Sequence, residues 1–181
     1  MKRFVSVVLS LIFALTMMTA CSEKVKPEEQ AALDLMAQVI AGDLSTLENC
    51  TGYQAMPADF DMFEETVKTV RAKTTVQVLE TTDHEDGTYT VVLGADAPDL
   101  LTAYTNVSVA WLDKAINDPT LTDTDIQAGI QADLEKDETV ANWKIQLLVT
   151  VAEDESVTID VTDGMASIEA VYTCNLTTIL E

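Results

Sequence analysis

The feature that most constrains how this chain can fold is a strict period-two alternation towards its carboxyl end. Trp143, Ile145, Leu147, Val149 and Val151 alternate with Lys144, Gln146, Leu148 and Thr150. After Glu153-Asp154-Glu155 the pattern resumes, with Val157, Ile159 and Val161 set against Ser156, Thr158 and Asp160. Successive side chains of a strand point to opposite faces, so this spacing gathers the apolar residues on one side of a strand and would scatter them around a helix. Two such runs joined by an acidic turn predict an antiparallel hairpin with one buried face.

A second hairpin is predicted upstream. Val76 and Val78 alternate with Thr75 and Gln77, and Tyr89, Val91 and Leu93 alternate with Thr88, Thr90 and Val92. Between them lies the polar turn Asp83-His84-Glu85-Asp86-Gly87, which carries the Asp-Gly pair that tight hairpins favour.

The remaining apolar residues follow helical spacing. Pro27-Glu28-Glu29 suits a helix start, because proline fits the first turn and carboxylates meet the positive end of the dipole. Ala32, Leu35, Met36, Val39 and Ile40 continue that helix, and Gly42 stops it. Asp43 is placed to cap a short continuation with Leu44 and Leu47. Phe60, Phe63, Val67 and Val70 predict an amphipathic helix of about 14 residues. Pro98-Asp99 opens a stretch with Leu101, Tyr104, Trp111 and Ala115 on one side, although its Val107-Ser108-Val109 centre favours helix poorly. Thr122 with Asp125 has the form of a capping box, followed by Ile126, Ile130 and Leu134. Met165, Ile168, Tyr172 and Leu176 fit a last helix capped by Asp163, while Thr173 to Ile179 also tolerates a strand. Helices, hairpin, helices, hairpin and helix make an α+β domain: an antiparallel four-stranded sheet of two hairpins with helices packed on one face.

The amino terminus carries a different message. Basic Lys2 and Arg3 precede the largely apolar run from Phe4 to Ala20, which is 17 residues long and so at the bottom of what crosses a bilayer core. The order of charged, apolar and small residues is that of a secretory signal. Met18-Thr19-Ala20-Cys21 resembles the lipobox of bacterial lipoproteins, with Met18 where leucine is usual. That resemblance implies cleavage between Ala20 and Cys21 and diacylglycerol on the Cys21 thiol. The chain then divides into a signal peptide over 1–20, a lipidated tether over 21–26 and one α+β domain over 27–181, with the domain on the extracytoplasmic face of the cell membrane. Two acyl chains matter, since a single chain holds a protein to a membrane only marginally.

All 31 acidic residues lie beyond Cys21, and loss of the signal removes two of the ten basic ones, which leaves a net charge of −23. Such a surface argues against nucleic acid and against docking on anionic lipid. Besides Cys21 the only cysteines are Cys50 and Cys174. Outside the cytoplasm they could be joined, closing a loop worth about 4–5 kcal/mol in the chain-entropy model, or they could stay as reduced core residues.

A further resemblance covers most of the mature chain. The lipobox, a helix ending in Ala41-Gly42-Asp43-Leu44 and strands with Trp143-Lys144-Ile145 are similar to uncharacterised lipoproteins of Gram-positive bacteria with cystatin-like or nuclear transport factor 2-like domains. That likeness implies a curved sheet wrapped around a helix, often with a cone-shaped pocket. This chain differs in placing two helices between its hairpins, and no functional residue is carried over.

Catalytic signals are weak. The single histidine, His84, sits in a predicted exposed turn, without the positioned partner and shelter that a catalytic base needs. With no second histidine a zinc site is not indicated, and Cys50 has no histidine near it in sequence. Asp123-Thr124-Asp125 begins like a calcium loop but has Ala128 where the turn glycine belongs and Leu134 where the bidentate acid belongs. Pairs such as Asp59 with Asp61 or Asp83 with Asp86 follow from composition alone. No cofactor, metal or catalytic residue is therefore assigned. Tyr104 and Trp111 are candidate pocket-lining residues, and core packing is the plainer role for both. The expected function is a non-catalytic module that binds an envelope ligand or protein, the alternative being an envelope enzyme that uses carboxylates.

Overall fold

The computed structural model describes residues 25–57, 60 and 63–176. Ala20 and Cys21 lie outside the described residues, as do Asp59, Asp61 and the stretch 177–181. The elements are α1 (Pro27–Ala41), α2 (Glu64–Arg71), β1 (Thr75–Asp83), β2 (Thr88–Pro98), α3 (Leu100–Asn117), α4 (Asp123–Leu134), β3 (Val140–Val151), β4 (Val157–Asp160) and α5 (Met165–Thr173). The four strands form one antiparallel sheet in the order β1-β2-β3-β4. The fold is thus α+β with a four-stranded sheet made from two hairpins.

The alternation places the sheet. Val91, Leu93, Ala95 and Ala97 of β2 and Ile145, Leu147 and Val149 of β3 are all buried, and the register sets Leu93 opposite Ile145 and Val91 opposite Leu147. Val76 and Val78 continue this face into β1. A bulge then falls between Val78 and Glu80, so that Thr81 takes the inner side after it. Such a bulge bends an edge strand and interrupts its pairing, which discourages addition of foreign strands. α1 lies under all four strands with Ala32, Leu35, Met36 and Val39 buried, and α2 and α5 complete the same layer. At the far edge Thr51 pairs with β4, donating to Ile159 O at 3.1 Å and accepting from Val161 N at 2.8 Å.

Three expectations need correction. The helix anticipated from Phe60 begins only at Glu64, because Phe60 and Phe63 are joined by a single turn (Phe63 N to Phe60 O, 2.8 Å) and are buried outside a regular helix. Asp163 does not cap α5: Gly164 takes that position, and the Asp163 carboxylate accepts from Gln146 Nε2 at 3.3 Å. α3 and α4 do not lie on the sheet. They pack chiefly on each other, buried only at Leu100, Ala103 and Leu134, and so form a helical hairpin off the end where β2 stops and β3 starts.

Two helix ends converge on one side chain. Neither α1 nor α5 has a basic residue in its last turn, yet their orphan carbonyls need donors. Arg71 is 6% exposed and supplies both, with Nε donating to Ile40 O at 3.0 Å and Nη1 to Tyr172 O at 3.1 Å. Its guanidinium also lies 4.5 Å from the centre of the Tyr172 ring. Hydrogen bonds from a charged donor are each worth about 1.5–3 kcal/mol, and the stranded carbonyls would bear their own desolvation cost. Arg71→Met should therefore lower unfolding free energy by about 3 kcal/mol, moving the urea midpoint by at least about 1 M at ordinary slopes. Arg71→Lys should recover less than half of the loss, because one ammonium cannot span both carbonyls.

Candidate functional site

Because the helices cover one face of the sheet, the other is left open. Thr75, Gln77, Glu80 and Thr82 of β1, Asp96 of β2, Asn142, Lys144, Gln146 and Leu148 of β3 and Thr158 of β4 are all exposed on it. It carries a shallow groove of about 310 Å³ lined by Thr90, Gln146, Leu148, Asp160, Thr162 and Asp163, with Leu147 at its floor. Leu148 is 41% exposed and is the exposed apolar side chain of the groove, while Leu79 and Val140 are exposed elsewhere on the same face. The groove walls are pre-arranged. Asp160 accepts from Thr162 N at 2.8 Å and Thr162 Oγ1 at 2.6 Å, and Gln146 reaches Asp163. The side-chain and then the backbone bond from Thr162 hold the Asp160 carboxyl below its ordinary range, so it is ionised. A face of this shape offers acceptors and a small apolar contact. It suits the edge of a macromolecule better than the near-complete enclosure small ligands require. The signal for it lay in the outward positions of the strands, where Leu148 and Val92 interrupt a polar series.

The anticipated pocket residues are placed elsewhere. Tyr104 meets Phe63 edge-on, with ring centres 5.3 Å apart, and is packed against the core. Trp111 lies flat against α4, where an added Cβ at Gly129 would come 2.0 Å from its ring, and its indole donates to Asp133 Oδ2 at 2.8 Å. Lys114 covers the indole at 3.9 Å from its centre. Both aromatic rings fasten elements together, and neither lines the groove.

Of the two states left open for Cys50 and Cys174, the structure has the free thiols. Cys50 faces Thr46 O at 3.5 Å, whereas Cys174 is buried and faces Val67 O at 3.9 Å. Burial pushes the Cys174 thiol up to about 12 despite the nearby Arg71 charge, and burial followed by the Asp160 charge raises Cys50. Thiols so raised carry little thiolate and react slowly. Native protein should thus resist alkylation at Cys174 at neutral pH, and unfolding without reductant should expose both Cys50 and Cys174 to the reagent. A mass increase for neither after unfolding would show a disulfide.

His84 occupies the β1–β2 turn as expected, with Nε2 2.9 Å from Thr90 Oγ1. The carboxylates with displaced titration are local capping groups. Asp43, Asp86, Asp118, Asp154 and Asp160 each take a backbone N–H two residues on, and every one is lowered chiefly by the side-chain and backbone bonds of that Ser or Thr. Asp125 is lowered by Thr122 in the capping box. Asp99 is the best sheltered. Burial is the largest single influence and pushes it up, but bonds from Asn175, Thr102 and the Leu101 backbone outweigh it and leave it lowered. A depressed carboxyl stabilises the fold fully above its unfolded value and loses that contribution as pH falls through the folded one. The stability gap between the parent and Asp99→Asn should be constant from pH 7 to about 5 and close below about pH 4, the general charge repulsion being common to both chains. Chemical denaturation at each pH measures it; a gap that widens on acidification would contradict the assignment.

No family model matches the chain, and no curated protein matches it. Among solved structures it is similar to a chain described provisionally as a lipoprotein (ycdA) from Bacillus subtilis. The two share 14% identity with a TM-score of 0.43, over 80% of this chain. The match covers 46% of that chain, so this one spans about half of its length. A likeness of that extent places the chain in no family.

Proposed function

We propose that this chain is a lipid-anchored, extracytoplasmic module of the cell envelope that binds a protein partner without catalysing a reaction. The observation that carries the binding part is the uncovered sheet face around Leu148, with Gln146, Thr90, Asp160 and Asp163 beside it. The interior is filled by one continuous apolar core, which favours recognition on a surface over enclosure of a small ligand. The aspartates with lowered titration act as turn and helix caps, a use that supports structural roles for them over acid catalysis. The anchoring part rests on Met18-Thr19-Ala20-Cys21, which stands six residues before α1 opens at Pro27. The kinship with cystatin-like or nuclear transport factor 2-like lipoproteins belongs to the same proposal, and it is supported by α1 lying under all four strands.

Each part has its own measurement. Cys21→Ser should abolish metabolic labelling by an alkyne fatty acid and leave an unprocessed or released chain, and labelling that persists in this variant would refute the anchor. A photoreactive phenylalanine analogue at Leu148 should give a discrete adduct with an envelope protein in living cells. The same analogue at Glu65, on the exposed side of α2, should not. Absence of adducts from positions 90, 148 and 158 alike would remove the open face as a binding surface.

A further inference from the structure

We propose that the outward face of α3 is a parallel two-stranded coiled-coil seam by which two copies of this chain pair. α3 is apolar on both sides. Its inner side carries Trp111 and Tyr104 and is occupied by α4 and the core, yet Val109, Leu112 and Ile116 on the opposite side are 65%, 63% and 73% exposed. A second apolar stripe exposed on a helix whose first stripe is already covered marks an interaction surface.

The pattern of the exposed residues selects the occupant. With Thr105, which is also exposed, they recur at spacings of four, three and four, the spacing of alternate d and a positions of a heptad. Val109 and Ile116 then occupy a, and Thr105 and Leu112 occupy d. β-branched residues at a with leucine at d favour two parallel strands, and the same seam on both copies closes on itself. Asn117 ends the helix after these two heptads, just before Asp118-Pro119.

Charge supports the same partner. The chain carries −21, so most of its surface would repel a second copy. α3 has only Asp113 and Lys114 among its 18 residues. Beside the seam the flanking positions are Asn106 and Asp113 on one side and Ser108 and Ala115 on the other, so parallel pairing sets no acid against an acid. A membrane is a poorer occupant, because interfacial helices flank their apolar side with several basic residues. Here there is only Lys114, and it is held over Trp111 and 3.8 Å from Asp133. A seam along a helix about 27 Å long supplies roughly half of the ~800 Å² per partner of a standard interface, so the dimer is weak and concentration-dependent.

In a parallel seam each a or d residue meets its own counterpart, which a cysteine scan reads directly. Val109→Cys, Leu112→Cys and Ile116→Cys, made singly in the full-length chain and oxidised in the producing cells, should each give a dimer on a non-reducing gel, at least fivefold above the parent with its native cysteines. Gln127→Cys on α4 should stay at the parent level. Adding Leu112→Asp to the Val109→Cys chain should cut the dimer at least tenfold and leave the thermal unfolding profile unchanged, since Leu112 contributes little to the folded monomer. The proposal is overturned if all three single variants remain at the parent level. It is equally overturned if their adducts have the mass of a different protein, or if dimers form only when Val109→Cys and Ile116→Cys chains are mixed, which marks antiparallel contact.

Discussion

The arrangement of the helical layer depends on the guanidinium of Arg71. Helices α1 and α5 end within its reach, and each leaves carbonyls that carry the negative end of a helix dipole. Arg71 satisfies one carbonyl from each and sits in their combined field, which compensates a buried cation without a carboxylate partner. Among the described residues Arg71 makes no ion pair. The same contact dictates the residue at 42. Gly42 has φ +86, which favours glycine, and a Cβ there would come 2.5 Å from Arg71 Nη2. Since Arg71 is also the last residue of α2, and Thr75 begins β1 soon after, this one side chain fixes where three helices end and where the sheet begins.

The acidic surface gains a structural reading from this economy of cations. With 31 acids and ten bases, ion pairing cannot neutralise the chain, and the exposed pairs seen, Lys68 with Glu65 and Lys114 with Asp133, are of the kind that contributes little. Aspartate instead serves the backbone. Asp-x-Ser or Asp-x-Thr turns close Asp43–Ser45, Asp86–Thr88, Asp118–Thr120, Asp154–Ser156 and Asp160–Thr162, where a carboxylate accepts the N–H that no secondary structure uses. The charge left over keeps a one-sided sheet soluble and repels unspecific partners from its bare face.

Sequence patterns that reflect local geometry were legible. The alternation from Trp143 to Val161 gave the β3–β4 hairpin, the Pro27 and Gly42 signals bounded α1, and Thr122 with Asp125 forms the capping box seen at α4. What was not legible depended on partners distant in sequence. Arg71 reads as a polar residue at the end of an amphipathic helix, and only the arrival of Ile40 and Tyr172, the latter 101 positions away, explains its burial. The bulge at Leu79 breaks the alternation of β1 without altering its composition. On α3 two apolar stripes coexist, and a reading that seeks one core face takes Tyr104 and Trp111 and passes over Val109, Leu112 and Ile116. The groove escaped for a related reason: its walls come from β2, β3, the end of β4 and the segment after it, and these meet only once the strand order is known.

Together these placements distinguish two ends of the molecule. α1 starts beside the β1–β2 turn, where Glu29 accepts from Thr81 Oγ1 at 2.9 Å, and runs towards the end of α2 at Arg71. The α3–α4 hairpin leaves from the other end of β2, seven residues beyond Val91, a span of about 24 Å at strand rise. A lipid on Cys21, six residues ahead of Pro27, would hold the first end within about 20 Å of the bilayer. With that anchor the helical hairpin would stand at the remote end, and the bare sheet face would run along the side between them. Two copies so anchored in one membrane would share height and orientation, and confinement to a surface would raise their local concentration. Those are the conditions under which a short parallel seam, too small to persist in dilute solution, can close. Pairing through α3 would also leave the groove around Leu148 uncovered, because that groove lies on the sheet, near the β1–β2 turn and away from α3.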